Sequence, residues 1–160
     1  MGYMFKKGSQ FKTPADVAGK ICHQLEENGG LTAKRLLDVS RPEDAPLHDE
    51  FLWDDTEAAE KYREHQAAHI IRCIVITPET PKREPVRAFI NVSDNNTMDT
   101  GRSYRSLDVV LQKTTLRDQM LAQALKELRN FEVKYATLTE LAHVFDAIHA
   151  VGDADWNRGS

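Results

Sequence analysis

His65, His69 and Cys73 stand four residues apart in a stretch whose apolar pattern is helical, and imidazole and thiolate are ligand types that zinc takes. Two features weaken that reading. The residue after His65 is Gln66, where a zinc protease motif carries its glutamate, and no fourth ligand follows. Each four-residue step also rotates a helix by about 40°, so the third side chain drifts off the face of the first. Packing of His69 and Cys73 at a core edge, with His65 in water, accounts for the same spacing. The acids Asp49, Glu50, Asp54, Asp55 and Glu57 are a second candidate, as ligands for Mg²⁺. Carboxylates just before a helix also serve as caps and as partners of its positive end. No further acidic motif or catalytic lysine completes such a site.

The remaining signatures of catalysis are missing from the chain. Gly101-Arg102-Ser103 is a lone glycine beside two polar residues, not a phosphate-cradling loop, and no Gly-x-Ser-x-Gly elbow occurs. Cys22 and Cys73 are too far apart in sequence for a metal knuckle and read as small buried hydrophobes. No catalytic residue, cofactor site or metal site is assigned on these grounds, and the reading leans away from an enzyme.

Nucleic acid remains as a partner. Net charge is −4, which gives no general attraction to phosphate. From Thr13 to Arg72 there are seven Lys or Arg against thirteen Asp or Glu; from Cys73 to Ala136 there are ten against eight. A helix-turn-helix built from Thr32–Ser40 and Thr56–Arg72 would therefore present Glu57, Glu60 and Glu64 to the phosphates, with Lys61, Arg63 and Arg72 too few to reverse the repulsion. The better route is a basic hairpin with Lys82, Arg83, Arg87, Arg102 and Arg105, Tyr104 as a stacking residue, and the lysines of the N-terminus beside it. Basic residues on an edge strand also deter aggregation, so the same set has a purely structural explanation.

Size and hydrophobic period point to the elements that carry these residues. At 160 residues, 41% hydrophobic and 29% charged, the chain has the size and composition of one globular domain, expected over residues 13–151. Residues 1–12, with three lysines, read as a flexible basic arm or a short edge strand, and 152–160 as a polar tail. Residues 13–72 are expected to be helical. Thr13-Pro14-Ala15-Asp16 is a capped start closed at Asn28-Gly29-Gly30, Thr32 caps a short second helix, and Leu47–Trp53 is a connector apolar enough to fold onto the core. A third helix runs from about Thr56 to Arg72, with Ala59, Tyr62, Gln66, His69 or Ile70, and Cys73 on one face. Residues 73–111 change period: Ile74–Ile76, Val86–Val92 and Tyr104–Leu111 predict a small antiparallel sheet of two or three strands. From 115 to 151 the pattern is helical again. Met120, Ala124, Leu128, Phe131, Tyr135, Leu138, Ala142, Phe145 and Ile148 recur at steps of four and three, with a break expected near Thr137. That stripe either packs on the rest of the chain or forms an interface with a second copy or a protein partner, with Phe131, Tyr135 and Leu138 as the candidate interface. The fold class is α+β, mainly helical, with the sheet between N-terminal and C-terminal helices.

Leu31-Thr32-Ala33, Pro46-Leu47-His48, Phe51-Leu52-Trp53-Asp54-Asp55 and Ala58-Ala59-Glu60-Lys61-Tyr62-Arg63, with the later Val86-Arg87-Ala88-Phe89 and Tyr104-Arg105-Ser106, resemble a group of small bacteriophage and prophage proteins. The resemblance covers most of the chain. It implies a phage or prophage origin and an intracellular role, but no mechanism, and no functional residue transfers from it. No apolar run approaches the roughly 20 residues that span a bilayer, and the N-terminus lacks the apolar stretch of a secretory signal. A cytoplasmic, non-enzymatic phage accessory protein that self-associates is the expected class, with nucleic-acid association through the hairpin as the alternative.

Overall fold

The structure, a computed structural model, describes residues 2–53, 57–93 and 101–153. The cap and acids expected at Asp54, Asp55 and Thr56, most of the loop expected after Ser93, and the tail from 154 onward lie outside the described residues. The fold is α+β and mainly helical. Contacts gather into two units, Met1–Leu116 and Arg117–Ser160, where the sequence suggests one domain over 13–151.

In the first unit the chain opens with β1 (Tyr3–Phe5), so part of the expected arm is a strand. It pairs antiparallel with β2 (Ile74–Ile76), and β2 with β3 (Val86–Arg87). Helix α1 (Ala15–Glu27) follows Pro14, the N-cap residue. Asp16 does not close a capping box there; its Oδ1 accepts the Tyr3 N–H at 2.7 Å and ties β1 to the helix start. Thr13 Oγ1 donates to the Pro46 carbonyl at 2.9 Å, and the Glu50 carboxylate accepts the N–H groups of Lys12 and Thr13. Gly19 lies in the middle of α1, where glycine costs roughly 1 kcal/mol against alanine. The reason is steric: a Cβ there would sit 2.3 Å from the Tyr3 ring, which itself stacks toward Phe89 at 6.1 Å. Helix α1 ends as expected, with Gly29 and Gly30 at φ +109° and +108° and the Arg35 guanidinium donating to the carbonyls of Asn28 and Gly30.

Thr32 caps α2 (Ala33–Val39) by accepting the Arg35 N–H. The connector after it does fold onto the core: Leu47 and Phe51 are buried, and the Trp53 indole donates to the His48 carbonyl while stacking on the His48 ring. Helix α3 (Glu57–Cys73) buries Ile70 and Cys73 as expected, with Ala67 and Ile71 beside them, but it also buries Arg63, while Tyr62 of the expected face is 53% exposed. The face is shifted because a charged side chain occupies a core position. Arg63 is only 6% exposed; its Nε donates to the Leu52 carbonyl at 2.6 Å, a terminal nitrogen meets Glu60, and the guanidinium lies over the Trp53 ring. Arg41 and then Arg63 hold the Glu60 carboxyl below its ordinary range. Arg63→Ala is expected to lower unfolding free energy by about 1–3 kcal/mol, since it leaves a carbonyl and an indole face unpartnered. Urea denaturation measures it, and Arg63→Lys should not recover the loss because an ammonium lacks the guanidinium fork.

The expected strand 86–92 breaks at Ala88. The Ala88 N–H donates to Ile74 while its carbonyl accepts from Leu107, so Val86–Arg87 belongs to one sheet and β4 (Phe89–Ser93) to another. Strand β5 (Arg102–Ser106) pairs antiparallel with β4, Phe89 opposite Ser106 and Asn91 opposite Tyr104. The strand expected through Leu111 stops at Ser106 and becomes α4 (Leu107–Gln112). Glu26, from α1, supplies the cause: its buried carboxylate accepts both the Ser106 N–H at 2.7 Å and the Ser106 hydroxyl at 3.1 Å. Helix α5 (Thr114–Tyr135) leaves this unit.

The core of the first unit gathers Ala18, Cys22 and Leu25 of α1, Leu36 and Leu37 of α2, Ile70 and Ile71 of α3, and Ile74 and Phe89 of the sheets. Both cysteines are buried and unpaired, as expected. Burial, with a smaller contribution from Glu26, pushes the Cys22 thiol up to about 12. Iodoacetamide at pH 8 should therefore leave Cys22 unlabelled until the protein unfolds, as peptide mapping would show. The unfolded thiol ionises first, so this group's contribution to stability is present below about pH 9 and is lost as pH rises toward about 12.

Candidate functional site

The second unit is a helical hairpin. From Arg117 onward α5 continues to Tyr135, a 3₁₀ turn at Thr139–Leu141 reverses the chain, and α6 (Ala142–Asp153) returns along it. The break falls where the sequence places it. The Leu138 N–H donates to Tyr135 and the Leu141 N–H to Leu138, closing α5 and opening the turn. Pairing of the two helices is set by polar and aromatic contacts. The His149 ring lies 2.8 Å and 3.0 Å from the two Glu132 carboxylate oxygens, and Arg129 packs against the bare backbone of Gly152. Phe131 sits between the helices, 4.8 Å from the Tyr135 ring and 6.5 Å from Phe145.

Two helices have too little facing surface to hide their apolar residues from water, and this pair shows it. Among the described residues of the unit, Leu125 and Ile148 are the buried hydrophobic side chains. Seven large ones are exposed: Leu121, Leu128, Phe131, Val133, Leu138, Val144 and Val151. The described residues of the first unit have the opposite balance, twenty buried hydrophobic ones against six large exposed ones. Four of the seven share a side. Exposed Ala124, Leu128 and Phe131 and half-buried Tyr135 run along one flank of α5 at steps of four, three and four; exposed Val144 and Val151, with buried Ile148 between them, do the same on α6. With 100° of turn per residue and the helices antiparallel, both flanks face the same side of the hairpin. Phe131, 40% exposed, lies in this surface, and Leu138 is exposed in the turn at one end of it.

The basic hairpin is distributed differently. Lys82 and Arg83 are exposed in the loop before β3, and Arg87 is exposed on β3. Arg102 opens β5 and its Nε donates to Asn91 at 3.3 Å. Arg105 points inward, 3.5 Å from the buried Glu26 carboxylate. Tyr104 is 8% exposed and part of the core, its N–H bonded to the Leu31 carbonyl, so its ring offers no stacking face. In the sequence Tyr104 stands between Arg102 and Arg105 and suggests a stacking residue, and nothing local tells which face of a two-stranded ribbon is covered.

His69 and Cys73 approach to 3.7 Å, while His65 opens onto a neighbouring cleft. Among the described residues no three His, Cys, Asp or Glu side chains gather as a metal ion requires. Glu50 of the acidic cluster is occupied with the backbone at the α1 entrance. Two buried charges, Glu26 and Arg63, carry no mark in the sequence that separates them from surface residues. Compared with protein-family models, with curated proteins and with solved structures, the chain matches none.

Among the described residues no helix is long and apolar enough to cross a membrane.

Proposed function

We propose that this chain is a non-enzymatic accessory protein that works through protein–protein contacts, and that its C-terminal hairpin pairs with the hairpin of a second copy. The observation that carries this reading is the apolar flank Leu128–Phe131 with Val144–Val151, left in water by a two-helix unit. Two such hairpins laid flank to flank make a four-helix bundle, the arrangement that four-three spacing favours. A self-complementary patch suits two-fold pairing, because each copy offers the same surface. Charge does not oppose it: from Arg117 on there are five Lys or Arg against seven Asp or Glu, so two copies repel weakly. A phage or prophage origin and an intracellular setting are part of the same proposal.

Light scattering on the full chain tests the proposal. A mass of two chains, unchanged between low and high salt, is expected, since an apolar seam is not screened. A monomer at every concentration measured would end it.

A further inference from the structure

A second surface, on the first unit, goes beyond self-association. Where β1 ends, the chain turns through Lys6-Lys7-Gly8-Ser9, with the Ser9 N–H bonded to the Lys6 carbonyl and Gly8 at φ +89°. The Lys6 N–H donates to the Cys73 carbonyl at 2.8 Å, which fastens this turn to the end of α3. The register sets Phe5 opposite Ile74 and Arg87 opposite Val75, so Arg87 of β3 comes to the same end of the sheet. The result is a cleft of about 550 Å³ lined by Lys6, Lys7, Arg72 and Arg87, with His69 at its edge and no carboxylate in its lining. Its size falls within the roughly 300–1,000 Å³ usual for small-molecule sites.

The charge in this cleft is uncompensated. None of the four cations is joined to a carboxylate among the described residues, although the chain as a whole carries four more acids than bases. Like charges gathered in a concavity repel one another and focus the field outward, and an anion relieves that. The space beside Gly8 is open, with nothing within 4 Å of where a Cβ would point, so a ligand can approach the backbone of the turn. We infer that this cleft binds a compact phosphate-bearing molecule, its phosphate oxygens held by Arg72 and Arg87 as forked donors and by Lys6 and Lys7 as point charges. A long polyanion fits less well. The adjoining cleft shares Gln10, His69 and Arg72 with this one but carries Glu50, and residues 13–72 hold thirteen acids against seven bases. A strand running on from the cleft would meet negative charge.

Isothermal titration of the full-length protein at low salt, with inorganic pyrophosphate, ATP and a single-stranded oligothymidylate as separate probes, decides the matter. Pyrophosphate or ATP should bind, and Arg72→Glu or Arg87→Glu should weaken binding roughly tenfold to a hundredfold. Both side chains are exposed, so thermal unfolding midpoints should stay put; Lys6→Gln with Lys7→Gln, a milder pair, should weaken binding in the same direction. Binding of pyrophosphate as tight as ATP would place recognition in the phosphates alone, and tighter ATP would add the nucleoside to the ligand. Binding of the oligothymidylate alone overturns the inference, as does no binding by any probe, or binding that the substitutions leave unchanged.

Discussion

Phe131→Asp should convert a dimer of this protein into a monomer while leaving the first unit folded. The ring is 40% exposed and lies at the middle of the apolar flank, against Tyr135 and Phe145, so a second hairpin would cover it. Aromatic residues at the centre of an interface typically cost 2 kcal/mol or more on truncation, which is about thirtyfold in dissociation constant. Aspartate adds the cost of desolvating a carboxylate with no partner, so the dimer should be lost across micromolar concentrations. Light scattering would report a fall from two chain masses to one, with urea unfolding of the first unit unchanged. Leu128→Asp, also on the flank, should act alike, whereas Val133→Asp, 80% exposed and on the other side of α5, should not. If Val133→Asp and Phe131→Asp behave identically, the interface has been put on the wrong face.

Phe89→Ala should unfold the first unit at much lower denaturant than the parent. Phe89 is 2% exposed, opens β4 just after the point where the two sheets part, and stacks toward Tyr3 of β1. Removing a buried phenylalanine ring commonly costs 3–5 kcal/mol, the lost transfer energy plus the cavity left behind. Domains of this size hold about 5–15 kcal/mol in all, so the change is a large share of the total. Phe89→Leu keeps most of the volume and should cost less than about 1.5 kcal/mol. Urea midpoints for the two variants test the pair. A loss below about 1 kcal/mol for Phe89→Ala would mean that Tyr3 and its strand move in to fill the space.

Much of the architecture was legible because its signals are local. Glycines at 29 and 30 end α1 through their own backbone conformation, Thr32 caps the helix that follows it, and the turn near Thr137 separates two periodic runs. What went astray depended on partners far along the chain. Leu107–Leu111 contains the β-branched pair Val109 and Val110 and reads as strand, yet it is helix because Glu26, eighty residues earlier, takes the Ser106 N–H. Asp16 looks like a capping residue, but the strand Tyr3–Phe5 claims its oxygen. Tyr62 looks like a core residue, and Arg63 takes that role because Leu52, Trp53 and Glu60 neutralise and cover it.

The candidate surfaces divide the same way. A long apolar stripe at helical spacing is legible along the C-terminal third from residue order, since spacing is a property of neighbouring residues. That the stripe is shared by the two helices of one hairpin, leaving Leu128, Phe131, Val144 and Val151 in water, depends on how the helices fold back on each other and not on spacing. Composition likewise established an acidic protein with its 21 bases spread along the chain, those at 6–7, 72, 82–87 and 102–105 among them. Strand pairing, with the Lys6–Cys73 bond to the end of α3, brings Lys6, Lys7, Arg72 and Arg87 to one cleft, and the fold turns Arg105 inward and buries Tyr104. Charge adds up along a chain, but a field depends on distance through space, and those distances are set by which strands pair.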